Sequence, residues 1–329
     1  MVELVMMKND IFEGIIGQPN AKRQLGFYKS GYSATRIVPH LMFVAPKGCG
    51  KTTMAKAMGK LLDRVDEPAK PKKFFEINCA SIKNLNQLVN QFFIPHVVNS
   101  ECTVLFDEAS ELPKDVTMAL LTVLNPNPNN RTTFSYEDYV MDFDFKQQSF
   151  MFATTEAQSI FHALMDRCER VDLEEYSYNE LGDIVQLGNP SIVYEDGLLE
   201  RIATVLRGTA RAAQKMAINI TSYMGAKGGE SFIEDDWNKL RYALGILPLG
   251  LSRIELQILR ILTERKECSL TNLAAKTGLT PECLRRDFEM YLQKQSLMEI
   301  TTAGRAISPQ GQKYLDEYEG YEAKLAEAE

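Results

Sequence analysis

In the run HLMFVAPKGCGKTTMAK, residues 40–56, Lys51 and Thr52 follow Gly48 and Gly50 at the spacing of a phosphate-binding loop. Such a loop closes backbone N–H groups around phosphate oxygens, sends a lysine to their outer end and offers a hydroxyl on the metal side. Gly48 and Gly50 supply bare backbone where the loop is tightest, while Pro46, Lys47, Cys49 and Thr53 complete the nucleotide-binding stretch. Ala45 stands where the motif has its first glycine, a loss of backbone freedom but of no chemical group. A second acidic element follows in CTVLFDEAS. Asp107 closes an apolar run, where a carboxylate can hold Mg²⁺ through water, and Glu108 can orient an attacking water. Thr52 and Asp107 are thus the expected metal-side pair.

These groups need strands and helices to hold them. The apolar run Leu41–Val44 reads as a buried parallel strand and residues 53–62 as a helix, so the loop sits between the two. Further strand-like runs at 74–78, 103–106, 149–154 and 171–173 alternate with helical stretches, the pattern of an α/β domain with a parallel sheet. Helical periodicity then takes over at 179–187, 196–207, 210–222 and 233–243, a small helical domain. After Pro248-Leu249-Gly250, helices are expected at 252–263, at 270–277 and from Thr280-Pro281-Glu282, whose hydroxyl, proline and acid form a helix start. Runs at 297–300 and 305–308 flank a Thr-Ala-Gly turn, and three helices with a hairpin make a winged helix. The expected division is 1–174, 175–247, 248–315 and an acidic tail, 316–329.

The chain has 329 residues and a net charge of −7, which argues against a surface coated in phosphate contacts but leaves room for a local basic face. Its 6 cysteines form no C-x-x-C pair, so neither a zinc site nor a disulfide framework is signalled. The N-terminal sequence shows no leader pattern, and no apolar run reaches membrane-spanning length. A cytoplasmic protein with reduced thiols, without a membrane partner, is the expectation.

The chain resembles the AAA+ ATPases and, within them, the RuvB family, the motors of Holliday-junction branch migration. The likeness is carried by IIGQPNAKRQL (15–25), APKGCGKTT, LFDEASEL, FATT (152–155), MDRCERVDLEEYS (165–177), LRGTARAA (206–213) and DFEMYLQKQSLMEITTAGRAIS, in the family's order over nearly the whole chain. It implies an α/β AAA+ ATPase domain with a parallel sheet, a helical lid and a C-terminal winged helix. It also implies ATP with Mg²⁺, and residue roles to match. Thr155, with Thr154 as the other candidate, matches the polar sensor of the γ-phosphate. Arg167 in Asp166-Arg167-Cys168 matches the arginine finger, and Arg211 the second sensor arginine. Ile15 and Ile16 fall where the adenine pocket is expected. A finger that faces away from its own nucleotide serves a neighbour, so a homo-oligomeric ring, in this family a hexamer, is implied.

Two stretches depart from the family. The hairpin that docks the partner RuvA has as its equivalent NPNPNNRTTFSYEDYVMDFDFKQQS, with an acidic, aromatic turn at Tyr136-Glu137-Asp138-Tyr139. Alternation of Met141, Phe143 and Phe145 with Val140, Asp142 and Asp144 predicts a half-buried strand, so the hairpin is kept while its tip has changed. The resemblance therefore does not carry a RuvA-type partner over to this chain. The wing reads Thr301-Thr302-Ala303-Gly304-Arg305 where the family has two arginines. Arg305, with Arg285, Arg286 and Lys294 on or after the third helix, is the expected DNA-phosphate set. The leading reading is an ATP-hydrolysing ring motor on duplex or branched DNA. The alternative is a RuvB-like loader or remodeller of a protein or protein–DNA complex, with the winged helix as adaptor.

Overall fold

The computed structural model describes residues 11–125 and 127–326, and side chains up to residue 318. The N-terminal stretch read for a leader and the end of the acidic tail lie outside the described residues.

The first compact unit runs to Ile192 and takes in Gly208–Gly228. Its core is a parallel sheet in the order β2-β3-β6-β1-β7, made by β1 (Leu41–Val44), β2 (Lys73–Asn78), β3 (Cys102–Asp107), β6 (Gln148–Thr154) and β7 (Glu169–Asp172). All five expected strands are present. Because alternate strand residues face opposite ways, the apolar runs feed two layers. Val104, Phe106, Phe150 and Phe152 join one core, and Leu105, Met151, Ala153 and Phe43 the other. Phe106 and Phe152 stack within the first layer at 5.1 Å. The second layer is covered by α1 (Pro19–Thr35) and α2 (Lys51–Lys60), which contribute Leu25, Met54 and Met58. On the other side lie α3 (Leu85–Leu88), its wider helical continuation Val89–Val97, and α4 (Lys114–Val123).

A hairpin of β4 (Arg131–Tyr136) and β5 (Tyr139–Asp144) turns at Glu137-Asp138, with Tyr136 paired to Tyr139. Phe134, Met141 and Phe143 bury one face against the first core layer, while Val140 is 69 % exposed. The expected alternation is therefore the observed one. Helix α5 (His162–Met165) precedes β7, and α6 (Tyr178–Gly188) starts with a capping box in which Ser177 and Glu180 satisfy each other's backbone N–H. Helix α8 (Ala210–Lys227) packs close to α6, since a Cβ on Gly188 would meet that of Ala217 at 2.6 Å.

The second unit holds Val193–Arg207 and the chain from Gly229 onward. Within it α7 (Leu198–Ala203) and α9 (Glu234–Ala243) accompany a two-residue parallel pair, β8 (Val193–Tyr194) with β9 (Ser231–Phe232). The lid stretch was expected to lack strands, and this pair is too short to leave a periodic signal. The helix expected over 196–207 is confined to 198–203, and Arg207 takes a left-handed φ of 54°. That turn is held by its guanidinium, which donates to both oxygens of the fully buried Glu255 at 3.1 and 2.8 Å and lies 3.7 Å from the Tyr291 ring centroid.

The winged helix is built as expected. It comprises α10 (Arg253–Arg265), α11 (Leu270–Thr277), a third helix formed by α12 (Pro281–Cys283), the turns Leu284–Glu289 and α13 (Met290–Lys294), and a sheet β10-β12-β11. The sheet strands are β10 (Glu267–Cys268), β11 (Met298–Ile300) and β12 (Arg305–Ile307). Thr280 caps the third helix by accepting from Cys283 N at 3.2 Å. The expected boundary at 315 falls inside α14 (Pro309–Ala326), because Tyr314, Leu315 and Tyr318 are buried in the winged-helix core.

Candidate nucleotide site and nucleic-acid face

The loop between β1 and α2 places its strain on glycine. Gly48 and Gly50 have φ of +85° and +90°, whereas Ala45 has no positive φ and is 4 % exposed in the core. The motif's first position therefore asks nothing of this loop that alanine lacks. Lys51 is 7 % exposed and its Nζ donates to the Ala45 and Pro46 carbonyls at 3.0 and 3.3 Å. Burial pulls its pKa down, and the carboxylates of Glu108 and Asp107 oppose that pull. The ammonium is thus held at the loop by carbonyls and carboxylates, ready to exchange those partners for phosphate oxygens.

Asp107 closes β3 and accepts from Thr52 Oγ1 at 2.9 Å and from Glu108 N at 3.0 Å. Glu108 itself has φ of 55°, a conformation that a non-glycine residue adopts at a cost of order 1–3 kcal/mol and that clusters at functional sites. A cavity of about 150 Å³ collects Lys47, Gly48, Gly50, Lys51, Thr52, Thr53, Asp107 and Glu108 with Ala210, Arg211 and Gln214 of α8. Thr209 caps that helix by accepting from Ala212 N at 3.3 Å, which sets Arg211 in its first turn. Gln214, three residues on and so on the same helix face, was not among the expected site residues. Spacing from Arg211 was the one signal for it.

The remaining candidates occupy other places. Pro46 is exposed and Cys49 fully buried beside the loop, and neither lines the cavity. Ile15 and Ile16 are half-buried and also stand outside it. Their segment is tied down by Gln18, which donates to Glu174 O at 2.7 Å and accepts from Glu174 N at 2.9 Å. Thr154 is buried at the end of β6 with its Oγ1 accepting from Glu156 N at 3.0 Å. Thr155 follows it, half-buried, just beyond a strand that lies between β1 and β3. Arg167 does not line the nucleotide cavity. It donates to Leu121 O at 3.0 Å, Ala163 O at 2.8 Å and Asn125 Oδ1 at 3.3 Å, at a separate surface cleft.

Among the described residues no group of three or more His, Cys, Asp or Glu could hold a metal by itself. The Thr52 hydroxyl and Asp107 carboxylate suit Mg²⁺ nonetheless, since that ion is held by few protein oxygens together with water and substrate phosphates.

On the winged helix, Arg285, Arg286 and Lys294 are exposed on or at the end of the third helix. Arg305 is not presented in this way. Its side chain is 16 % exposed, and its Nε and Nη2 donate to the two oxygens of the fully buried Glu289 at 2.7 and 3.2 Å. The expectation of a wing arginine directed at DNA is therefore corrected: Glu289, deep in the domain, needs the guanidinium as its partner.

A parallel-sheet P-loop domain with an acidic pair at the end of β3, one strand removed from β1, and an arginine of α8 lining the same cavity defines an AAA+ ATPase. Residues 41–176 match the AAA family, the ATPase family associated with various cellular activities, and residues 248–316 match the RuvB C-terminal winged helix domain. The chain thus joins an AAA ATPase domain to a RuvB-type winged helix domain, the make-up of a RuvB-like AAA+ ATPase. It is 24% identical over 302 residues to the Holliday junction branch migration complex subunit RuvB of Wolbachia sp. subsp. Brugia malayi, covering 88% of this chain and 87% of that protein. It is 26% identical over 336 residues to the protein of that name from Pseudothermotoga lettingae, covering 98% and 92%. Its fold resembles the Thermotoga maritima RuvB Holliday junction branch migration motor with a TM-score of 0.72 at 21% identity, covering 92% and 95% of the two chains.

Proposed function

We propose that this ATPase is a ring-forming motor that converts ATP hydrolysis into movement of duplex or branched DNA, Holliday junctions included. The observation that carries the reading is the joining, in one chain, of the nucleotide cavity to a RuvB-type winged helix, in a sequence alignable almost end to end with relatives named for branch migration. ATP binds with its phosphates along the loop, where Lys51 takes the outer oxygens and Arg211 approaches from the lid, residues 175–247. Mg²⁺, held by Thr52 and Asp107, would neutralise charge on the phosphates. Glu108 orients the attacking water, and Thr155 senses the γ-phosphate.

Arg167 completes a neighbour's site, which makes the working form a ring, taken to be a hexamer. The side chain is already fixed by three hydrogen bonds at a surface away from its own cavity, the placement a finger offered to another subunit needs. Arg285, Arg286 and Lys294 supply phosphate contacts. We place the protein in the cytoplasm; among the described residues no single helix is long and apolar enough to cross a membrane.

A second reading, a loader or remodeller acting on a protein complex, is favoured by one observation, the internal pairing of Arg305 with Glu289. ATP turnover measured alone, with duplex, with four-way junction DNA and with candidate proteins separates the two. Stimulation by DNA is expected, and stimulation by a protein with none by DNA would overturn the motor reading.

A further inference from the structure

The guanidinium of Arg167 is held by acceptors that leave its charge in place. At the end of α4, Asn125 N donates to Thr122 O at 3.3 Å, and the Leu121 carbonyl, left without that helical partner, accepts from Arg167 Nε at 3.0 Å. Helix α5 ends in the same way. Arg167 N donates to Leu164 O at 3.2 Å, and the Ala163 carbonyl accepts from Nη1 at 2.8 Å. One side chain thus closes the C-terminal ends of two helices, where backbone carbonyls favour a cation. The third anchor is a side chain, Asn125, whose Oδ1 accepts from Nη2 at 3.3 Å. All three acceptors are neutral. Among the described residues no carboxylate pairs with Arg167: Asp166 lies 3.0 Å from His162 Nδ1, and Arg131, the other cation of the surface cleft, lies 2.7 Å from Asp144. A guanidinium carries five N–H donors, so these bonds leave one on each terminal nitrogen, the pair that a bidentate phosphate contact uses.

We propose that Asn125 is a positioning residue for Arg167, a neutral anchor that aims the guanidinium from the end of α4 without cancelling its charge. The inference rests on the reading of Arg167 as the finger of a neighbour's site, and it names what orients that finger. The two carbonyls hold Nε and Nη1, and Asn125 holds the remaining nitrogen, so it keeps the guanidinium plane from swinging about the other two contacts. Neutrality matters because a carboxylate at this place would form an ion pair. Charge engaged there would be lost to the γ-phosphoryl oxygens in the transition state. Asn125 is exposed on the loop after α4, so its replacement removes this contact without opening the core. The competing role is structural, an end stop for α4.

The test is steady-state ATP turnover by the full chain, with binding of a fluorescent ATP analogue measured alongside, for Asn125→Ala and Asn125→Asp, with Arg167→Ala as reference. Asn125→Ala should bind the analogue like wild type and lose roughly tenfold in kcat, because one hydrogen bond to a charged group is gone and the finger strays from its aim. Asn125→Asp should also be slow, since it holds the finger in an ion pair. Mixing then shows in which subunit the defect acts. An Asn125→Ala subunit keeps its own Glu108 and can use the correctly held finger of an adjacent Glu108→Gln subunit, so the two assembled together should turn over more ATP than the sum of each alone. An end stop for α4 would act on the subunit's own site instead. A fall in analogue binding by Asn125→Ala, or no gain on mixing, would show that and overturn the assignment. So would wild-type kcat in either Asn125 variant. Wild-type turnover by Arg167→Ala would instead overturn the finger reading beneath it.

Discussion

Thr52 Oγ1 donates a 2.9 Å hydrogen bond to Asp107 Oδ2, which joins the first turn of α2 to the end of β3 and brings two motifs far apart in sequence to one point. Lys51 stands beside them on one side and Glu108 on the other, and their roles differ in the reaction coordinate. In the proposed reaction Lys51 would attract phosphate in the ground state, whereas Glu108 would act on the water during reaction. Lys51→Ala is expected to reduce ATP affinity about a hundredfold or more, by loss of a charge-assisted contact. Glu108→Gln should bind ATP normally and lose roughly 10²–10⁴ in turnover. Equilibrium binding of a fluorescent ATP analogue with single-turnover hydrolysis checks both, and tight binding by Lys51→Ala would remove the lysine from its assigned place.

The finger assignment predicts a signature that only neighbouring subunits can produce. Arg167→Ala should retain ATP binding and lose about 10³–10⁵ in turnover. Mixed with Glu108→Gln before assembly, it should regain part of that activity. An Arg167→Ala subunit keeps its own Glu108 and can borrow the finger of an adjacent Glu108→Gln subunit. Arg167→Lys should also be impaired, because an ammonium lacks the planar fork. Wild-type turnover by Arg167→Ala alone would discard the finger and the argument for a ring with it.

Much of this site is written in contiguous motifs. The P-loop and the Asp107-Glu108 pair each end an apolar strand, so hydrophobic pattern and chemistry mark the same places, and the strands, hairpin and winged helix follow from that pattern. Arg305 shows where the reading fails. Its partner Glu289 lies 16 residues earlier on a different element, and only the packing of the third helix against β12 brings the two together. An arginine in a wing looks the same in sequence whether it faces phosphate or a buried acid. Arg207 is a similar case: helical periodicity runs through it, but its bond to Glu255 across 48 residues ends the helix early. Gln214 carries only its three-residue spacing from Arg211 as a signal, which gains meaning once α8 is seen to begin at the cavity.

Arg305→Met leaves Glu289 buried and unpaired, and should lower stability by about 3–5 kcal/mol. Replacing both partners, Arg305→Met with Glu289→Leu, should recover most of that loss. Chemical denaturation followed by circular dichroism reads this directly. An Arg305→Met protein of wild-type stability with weakened DNA binding would restore Arg305 to the DNA face.

His40 supplies a pH-dependent contribution. It is half-buried with its Nδ1 enclosed, packed edge-on to Phe145 at 4.8 Å and Phe150 at 5.9 Å, and desolvation of the ring lowers its pKa from 6.5 to about 4. Below pH 6.5 the unfolded chain takes up a proton that the folded chain refuses, so stability falls as pH drops toward 4 and the contribution is complete above 6.5. Over that window the loss approaches about 3 kcal/mol. His40→Phe should show a flatter decline in melting temperature between pH 7 and about 4.5. Parallel curves for the two proteins would show that His40 takes its proton in the folded state.

In the proposed function, ATP turnover at the Lys51–Glu108 site moves DNA. The most direct measurement is the dissociation of a synthetic four-way junction into duplex products, followed on a gel for wild type and for Glu108→Gln with and without ATP. The expected result is conversion by wild type that requires ATP and is absent in Glu108→Gln, although the variant still binds nucleotide. Wild-type protein that hydrolyses ATP at its normal rate while leaving the junction and linear duplex substrates unmoved would contradict the claim.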